Sequence, residues 1–271
     1  MSVSVYYQMK TRVLRPFVLK RGVQCYIISY PKSGRTWLRL LLGKALCDQL
    51  ALPEENIIDT YQLTAVPGVL RTHFTHDYAD IRLGYPYYRL PTNKSPYART
   101  KVIFLIRDMR DTLVSSYFQA TKRVNRFHGP ITNFVRDDRF GINKIVTFYN
   151  LWQQNQRVPS EFMLLRYEEL HQDPANTLRR TLHFMNVTSV DEQVIQTAVA
   201  FASFDNMKKM ESSRMFANDK MRPGTTQDAD SFKVRQGRIG GYTQHLSPDD
   251  LHYIQQQIIE TGCPFIEQYY I

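Results

Sequence analysis

The run Cys25-Tyr-Ile-Ile-Ser29, the turn Tyr30-Pro-Lys-Ser-Gly-Arg-Thr-Trp37 and the apolar stretch from Leu38 to Leu46 leave this chain few folds to adopt. A short apolar run, a glycine turn and a helix start, in that order, read as a buried strand feeding a helix. Such a junction points backbone N–H groups and the positive end of a helix dipole at one spot, which suits a phosphate. Lys32 and the hydroxyls of Ser33 and Thr36 add further donors. The turn lacks G-x-x-x-x-G-K-[ST], so it is not the usual triphosphate loop.

The alternation of strand and helix continues along the chain. Val69-Leu-Arg-Thr-His73 reads as a second strand ending at His73. Lys101-Val-Ile-Phe-Leu-Ile-Arg107 and Glu161-Phe-Met-Leu-Leu-Arg166 read as two more. Helical spacing marks residues 111–118, capped by Asp111 or Asp108, and residues 142–156 and 191–202. Asp173-Pro174 and Ser247-Pro248 open two helices with proline at the first helical position. Pro86, Pro91 and Pro96 make residues 85–100 an irregular loop, and the polar, unperiodic residues 211–241 read as a lid loop. The expected fold is an α/β three-layer sandwich with a mostly parallel central sheet. With 271 residues and neither repeat nor linker, the chain reads as one domain, residues 1–22 being an N-terminal extension.

Charge narrows the function. The net charge of +10 is spread along the chain, without an RNP motif, a zinc-finger spacing or a basic helical block. That favours a localised anion pocket and no nucleic-acid partner. No run approaches the roughly 20 apolar residues of a membrane helix, and the N-terminus is too polar for a signal-peptide core. Cys25, Cys47 and Cys263 are widely spaced and odd in number, which reads as reduced, buried thiols of a cytoplasmic protein.

In an open α/β sheet, ligands bind beyond the carboxyl ends of the strands. The Lys32 turn, Arg71 with His73, Arg107 with its following helix, and Tyr167 all fall there. Arg107 ends a strand and Ser115 lies one helical stretch on, so a guanidinium and a hydroxyl can reach a second phosphate. Two phosphate sites on one sheet edge suggest a nucleotide phosphorylated at two positions.

These residues carry a resemblance. Tyr30-Pro-Lys-Ser-Gly-Arg-Thr-Trp37 resembles the 5′-phosphosulfate loop of sulfotransferases that use 3′-phosphoadenosine 5′-phosphosulfate (PAPS). The segment from Arg107 to Tyr117 resembles that family's 3′-phosphate segment, and Arg235-Gln-Gly-Arg-Ile-Gly-Gly-Tyr242 its R-K-G-x-x-G-D-W signature. Arg71-Thr-His73 is similar to the K-T-H that holds the catalytic base; Tyr167-Glu-Glu-Leu and Ala202-Ser-Phe-Asp-Asn-Met207 match further segments. The matches run in family order over nearly the whole chain. They imply a P-loop-hydrolase-like sulfotransferase fold and sulfuryl transfer from PAPS to an acceptor hydroxyl or amine, releasing adenosine 3′,5′-bisphosphate.

The resemblance also implies roles. His73 would be the general base, with His76 the alternative, and Lys32 would stabilise the departing phosphate oxygen; Ser115 joins these two in the catalytic set. Lys32, Ser33, Gly34, Arg35 and Thr36 would hold the 5′-phosphosulfate. Trp37 and Phe204 would face adenine and Tyr167 would bond to its side, while Arg107, Ser115, Arg235, Gln236 and Gly237 would hold the 3′-phosphate. No metal is expected, because the sulfuryl group carries less charge than a phosphoryl group in transfer. The departures from the family pattern are Arg35 for threonine, Arg71 and Gln236 for lysines, and Gly241-Tyr242 for Asp-Trp. The family's K-x-x-x-T-V-x-x-x-E dimer motif is absent, which leaves the oligomeric state open. The acceptor is a small molecule, glycan or lipid head group not fixed by these residues. An ATP-dependent kinase and a non-catalytic anion- or nucleic-acid-binding module are the competing readings.

Overall fold

The computed structural model describes residues 20–213, 215, 231–235 and 237–265. Four parallel strands form the central sheet: β1 (Cys25–Ser29), β2 (Thr72–Thr75), β3 (Lys101–Ile106) and β4 (Glu161–Arg166). Their order is β2-β1-β3-β4, so the chain crosses over from one side of β1 to the other. Cys25 pairs with Thr72 on one side and with Lys101 on the other.

The sheet is buried on both faces, as parallel sheets are. Alternate residues explain the two layers. Tyr26, Ile28, Phe104 and Ile106 face one core, with α3 (Met109–Phe118), α5 (Ile142–Gln154) and α10 (Pro248–Thr261) packed on it. Cys25, Ile27, Ile103 and Leu105 face the other, covered by α1 (Arg35–Gln49), α7 (Pro174–Phe184) and α8 (Glu192–Phe201). The remaining helices are α2 (Thr60–Leu63), α4 (Ile131–Val135), α6 (Tyr167–Gln172) and α9 (Phe204–Ser212). The three-layer sandwich expected from the sequence is present, with every described strand parallel.

Several local expectations shift. Strand β2 runs Thr72–Thr75 rather than ending at His73, because Cys25 to Ile28 of β1 pair in register with Thr72 to Thr75. Asp108, not Asp111, caps α3, its carboxylate accepting from the Arg110 N–H at 2.8 Å. Glu211 closes α9 instead of opening a loop, so only part of residues 211–241 is non-helical among those described. Asp173 caps α7 as expected, and Ser247 with Asp250 forms a capping box on α10. The N-terminal extension lies mostly outside the described residues.

Candidate active site

Each strand delivers a functional side chain at its carboxyl end. Lys32 lies in the turn after β1, His76 directly follows β2, Arg107 directly follows β3, and Tyr167 directly follows β4. All four line a single cavity of about 400 Å³, within the usual size for a small-molecule site.

The turn after β1 is built for an anion. Lys32 has φ 72° and Gly34 φ 96°, so the chain reverses tightly before α1 begins. No side chain caps α1 and its first turn carries no acid, leaving the N–H groups and dipole of a 15-residue helix facing the cavity. Gly34 is required there: a Cβ would come within 2.5 Å of the Tyr167 ring. Lys32, Arg35, Thr36 and Trp37 all line the cavity. Ser33 is fully buried and is not among the lining residues. Arg35 faces the cavity rather than solvent.

Arg107 joins the two ends of the site. Its guanidinium donates to the Lys32 carbonyl at 3.3 Å and to the Arg238 carbonyl at 3.0 Å, and stacks 4.4 Å over the Tyr167 ring. The Tyr149 hydroxyl accepts from the Arg107 N–H and donates to its carbonyl, both at 3.1 Å. Its buried Nε has no hydrogen-bond partner among the described residues, which leaves a donor for a ligand. Ser115 and Arg235 line the cavity as well. Asp111 accepts from the Gly240 N–H at 2.8 Å and the Tyr242 N–H at 3.0 Å, tying this late segment to α3. Gly237, at φ 63°, presses on Phe204, where a Cβ would lie 2.3 Å from the ring. Trp37 meets Tyr167 edge-on at 5.7 Å, so Trp37, Tyr167 and Phe204 give the cavity an aromatic end. Gln236 lies outside the described residues.

The two histidines part company. His73 sits within β2 between the edges of Tyr26 and Tyr61, at 6.2 and 6.0 Å, and does not line the cavity. Arg71 stacks on Tyr61, also away from it. His76 does line the cavity, with Nδ1 2.8 Å from the Ser29 carbonyl. A carbonyl only accepts, so Nδ1 carries the proton and Nε2 keeps its lone pair. Burial, Arg35 and Arg39 hold His76 well below its ordinary pKa, against a smaller opposing effect of the Ser29 bond. Of the two histidines weighed from the sequence as the base, His76 lines the cavity and His73 does not. The sequence repeats Thr-His at 72–73 and 75–76; strand pairing keeps the first pair's histidine within β2 and leaves His76 just beyond it.

Sequence reading also missed Arg123 and Lys233, which line the cavity from segments without a motif. Arg123 ends a π-helical turn, Gln119–Arg123, that continues α3. Fully buried Glu211 accepts from the Lys233 and Val234 N–H groups at 2.7 and 2.9 Å and from Arg123 at 3.4 Å. Lys32 donates to the Lys233 carbonyl at 3.4 Å. Burial, with Arg123, Arg107 and Arg235 nearby and Glu211 opposing, pushes the Lys32 ammonium down to about 7. Among the described residues no three His, Cys, Asp or Glu side chains gather as a metal site, and no helix is long and apolar enough to cross a membrane.

Residues 24–261 match the sulfotransferase domain family. The chain belongs to that family. It is 24% identical over 265 residues to cytosolic sulfotransferase 17 of Arabidopsis thaliana, covering 86% of this chain and 72% of the relative. Against flavonol 3-sulfotransferase of Flaveria bidentis it is 22% identical over 260 residues, covering 87% and 80%. Among solved structures, mouse sulfotransferase SULT7A1 complexed with PAP superposes with a TM-score of 0.62 at 19% identity, covering 89% of this chain and 85% of that one. Retinol dehydratase in complex with androsterone and inactive cofactor PAP gives 0.59 at 17%, covering 90% and 81%. These likenesses agree with the fold and with the sulfotransferase class that the sequence implied.

Proposed function

We propose that this sulfotransferase binds PAPS in the cavity and transfers its sulfuryl group in line to a hydroxyl or amine of a small-molecule acceptor. The observation that carries the reading is one cavity lined by Lys32 and the start of α1, by Arg107, Ser115 and Arg235, and by the aromatic rings of Trp37, Tyr167 and Phe204. Lys32 and the α1 N-terminus form one site, and Arg107, Ser115 and Arg235 form the other. A nucleotide phosphorylated at both the 3′ and 5′ positions fills both. The same residues fit adenosine 3′,5′-bisphosphate, which both structural neighbours are described as holding.

His76 Nε2 takes the acceptor proton as the new S–O or S–N bond forms. Lys32 and the first N–H groups of α1 meet the charge that builds on the departing phosphate oxygen as the old S–O bond breaks. A dianion beside Lys32 restores the ammonium that burial disfavours. Lys32 and the loop donors supply this charge stabilisation, so transfer is expected to continue in EDTA. The three buried free cysteines and the relatives named cytosolic support a cytoplasmic setting.

The donor is tested by thermal shift. Adenosine 3′,5′-bisphosphate stabilises the protein strongly, while AMP and ADP with Mg²⁺, each filling one site, stabilise it little. An equal response to ADP with Mg²⁺ would favour a kinase. The base is tested by two variants: His76→Ala lowers transfer by about 10²–10⁴-fold with bisphosphate binding kept, whereas His73→Ala retains transfer. The reverse pattern would return the role to His73.

A further inference from the structure

One buried carboxylate reaches the cavity from behind its lining. Glu211, the penultimate residue of α9, is fully buried, and both its oxygens are engaged. Oε1 accepts from the Lys233 N–H at 2.7 Å and from the Arg123 guanidinium at 3.4 Å; Oε2 accepts from the Val234 N–H at 2.9 Å. Arg123 also donates to the Ser231 carbonyl, so the segment 231–234 is gripped at three backbone groups. Lys233 in turn presents its carbonyl to Lys32, which donates to it at 3.4 Å. Arg235, one residue beyond Val234, lines the cavity with Lys32. Three donors on two oxygens call for a carboxylate, because glutamine keeps one acceptor and would turn its NH₂ toward an N–H. A loop could be tied down by neutral acceptors without the desolvation cost of a buried charge. The charge of Glu211 therefore asks for a use.

Resting on the PAPS reading, we infer that Glu211 is a positioning residue for the donor: it sets the Lys233 carbonyl on Lys32 and holds the Lys32 ammonium ready for the 5′-phosphosulfate. Beyond burial, the charges that act on Lys32 are Arg123 at the π-helical turn, Glu211 on α9, Arg107 after β3 and Arg235 in the late segment. Of these four, only Glu211 favours the ammonium. Lys233, itself lowered first by burial, feels both Lys32 and Arg123 and is the remaining group that can titrate there. Without Glu211, the amine would meet the donor uncharged more often, and the carbonyl that orients it would be released.

Calorimetric Kd values for adenosine 3′,5′-bisphosphate at pH 6, 7 and 8 test this on the whole protein. Glu211→Gln removes the favouring charge, so Lys32 titrates lower. A fall of about one pH unit makes the ratio of variant to wild-type Kd grow about fivefold between pH 6 and 8. Phosphate ionisation is common to both proteins and cancels in that ratio. Arg123→Gln removes an opposing cation, so its ratio falls over the same range. In a Lys32→Met background, Glu211→Gln changes Kd by the same factor at every pH. A Glu211→Gln ratio that stays constant with pH in the wild-type background overturns the inference and leaves Glu211 a structural tie. So does a ratio that grows equally in the Lys32→Met background, since Lys233 would then be the titrating group. Should Glu211→Gln not fold, Arg123→Gln decides, and a ratio that does not fall with pH overturns the inference. Wild-type protein that binds no bisphosphate at any pH would instead sink the PAPS reading, before any ratio is compared.

Discussion

Gly34 shows how one residue can fix a binding site without touching the ligand through a side chain. At φ 96° it turns the chain into α1, and its missing Cβ lets Tyr167 lie against the loop. Gly34→Ala meets both constraints at once: a left-handed backbone costs about 1–2 kcal/mol for alanine, and the ring, only 2.5 Å from the new methyl, must move. The expected result is a Tm lower by several degrees and bisphosphate affinity down by more than tenfold, because Tyr167 also carries Arg107 on its face. A variant with wild-type affinity would show that the loop tolerates a wider turn. At this scale the sequence was informative. Lys32, Arg35, Thr36, Trp37, Arg107, Tyr167, Phe204, Arg235 and Gly237 line one cavity because each sits at a strand end, a helix start or a signature turn, and Ser115 joins them from inside α3. Ser33 is buried outside the lining, because packing decides to which side of a turn a hydroxyl points.

Strand β2 shows what an element adds. The strands are short, and a short apolar–polar stretch does not mark its own end, so Val69–His73 and Thr72–Thr75 are equally plausible from pattern alone. Pairing with β1 decides, and it carries His76 to the sheet edge. The turn beyond it is then pinned. Asp77, 3% exposed, accepts from Lys94 at 2.5 Å, the Tyr97 hydroxyl at 3.0 Å and the Trp152 indole at 3.0 Å. Asp77 and Tyr78 take φ 42° and 69°, a conformation that needs such anchoring. Asp77→Asn keeps the shape and leaves the Lys94 ammonium buried without its counter-charge, a change that costs about 3–5 kcal/mol in buried pairs. Thermal unfolding should register that loss. Because the turn carries His76, kcat should fall while the bisphosphate, held by other strands, still binds. Loss of bisphosphate binding together with kcat would mean that the change spreads through the sheet rather than through this turn.

At the scale of the molecule, the cavity's charge comes from segments far apart in the chain: the turn at 32–35, the π-helical turn at Arg123 and the residues around Lys233. No spacing in the sequence announces that convergence, which is why the net charge of +10 was legible and its focus was not. The focus has a pH consequence. Lys32 is pushed down to about 7 in the open cavity, while the unfolded chain keeps a lysine near 10.4. Between those values the folded protein binds fewer protons than the unfolded one, so the contribution of Lys32 to stability rises with pH across that window. Binding runs the other way. The bisphosphate restores the ammonium and so takes up a proton, and its affinity falls as pH climbs above about 7, at most tenfold per pH unit for this lysine. Phosphate ionisation, with a second pKa near 6, is largely complete by then and does not reverse the trend. His76, held well below its ordinary value, stays neutral throughout. Lys233 is depressed in the same direction, so Lys32→Met removes up to one proton of the slope and leaves the rest. Bisphosphate Kd measured at pH 7, 8 and 9 for the two proteins checks this. A flat profile in the wild type would mean that Lys32 is already charged in the empty cavity, with Glu211 offsetting its burial.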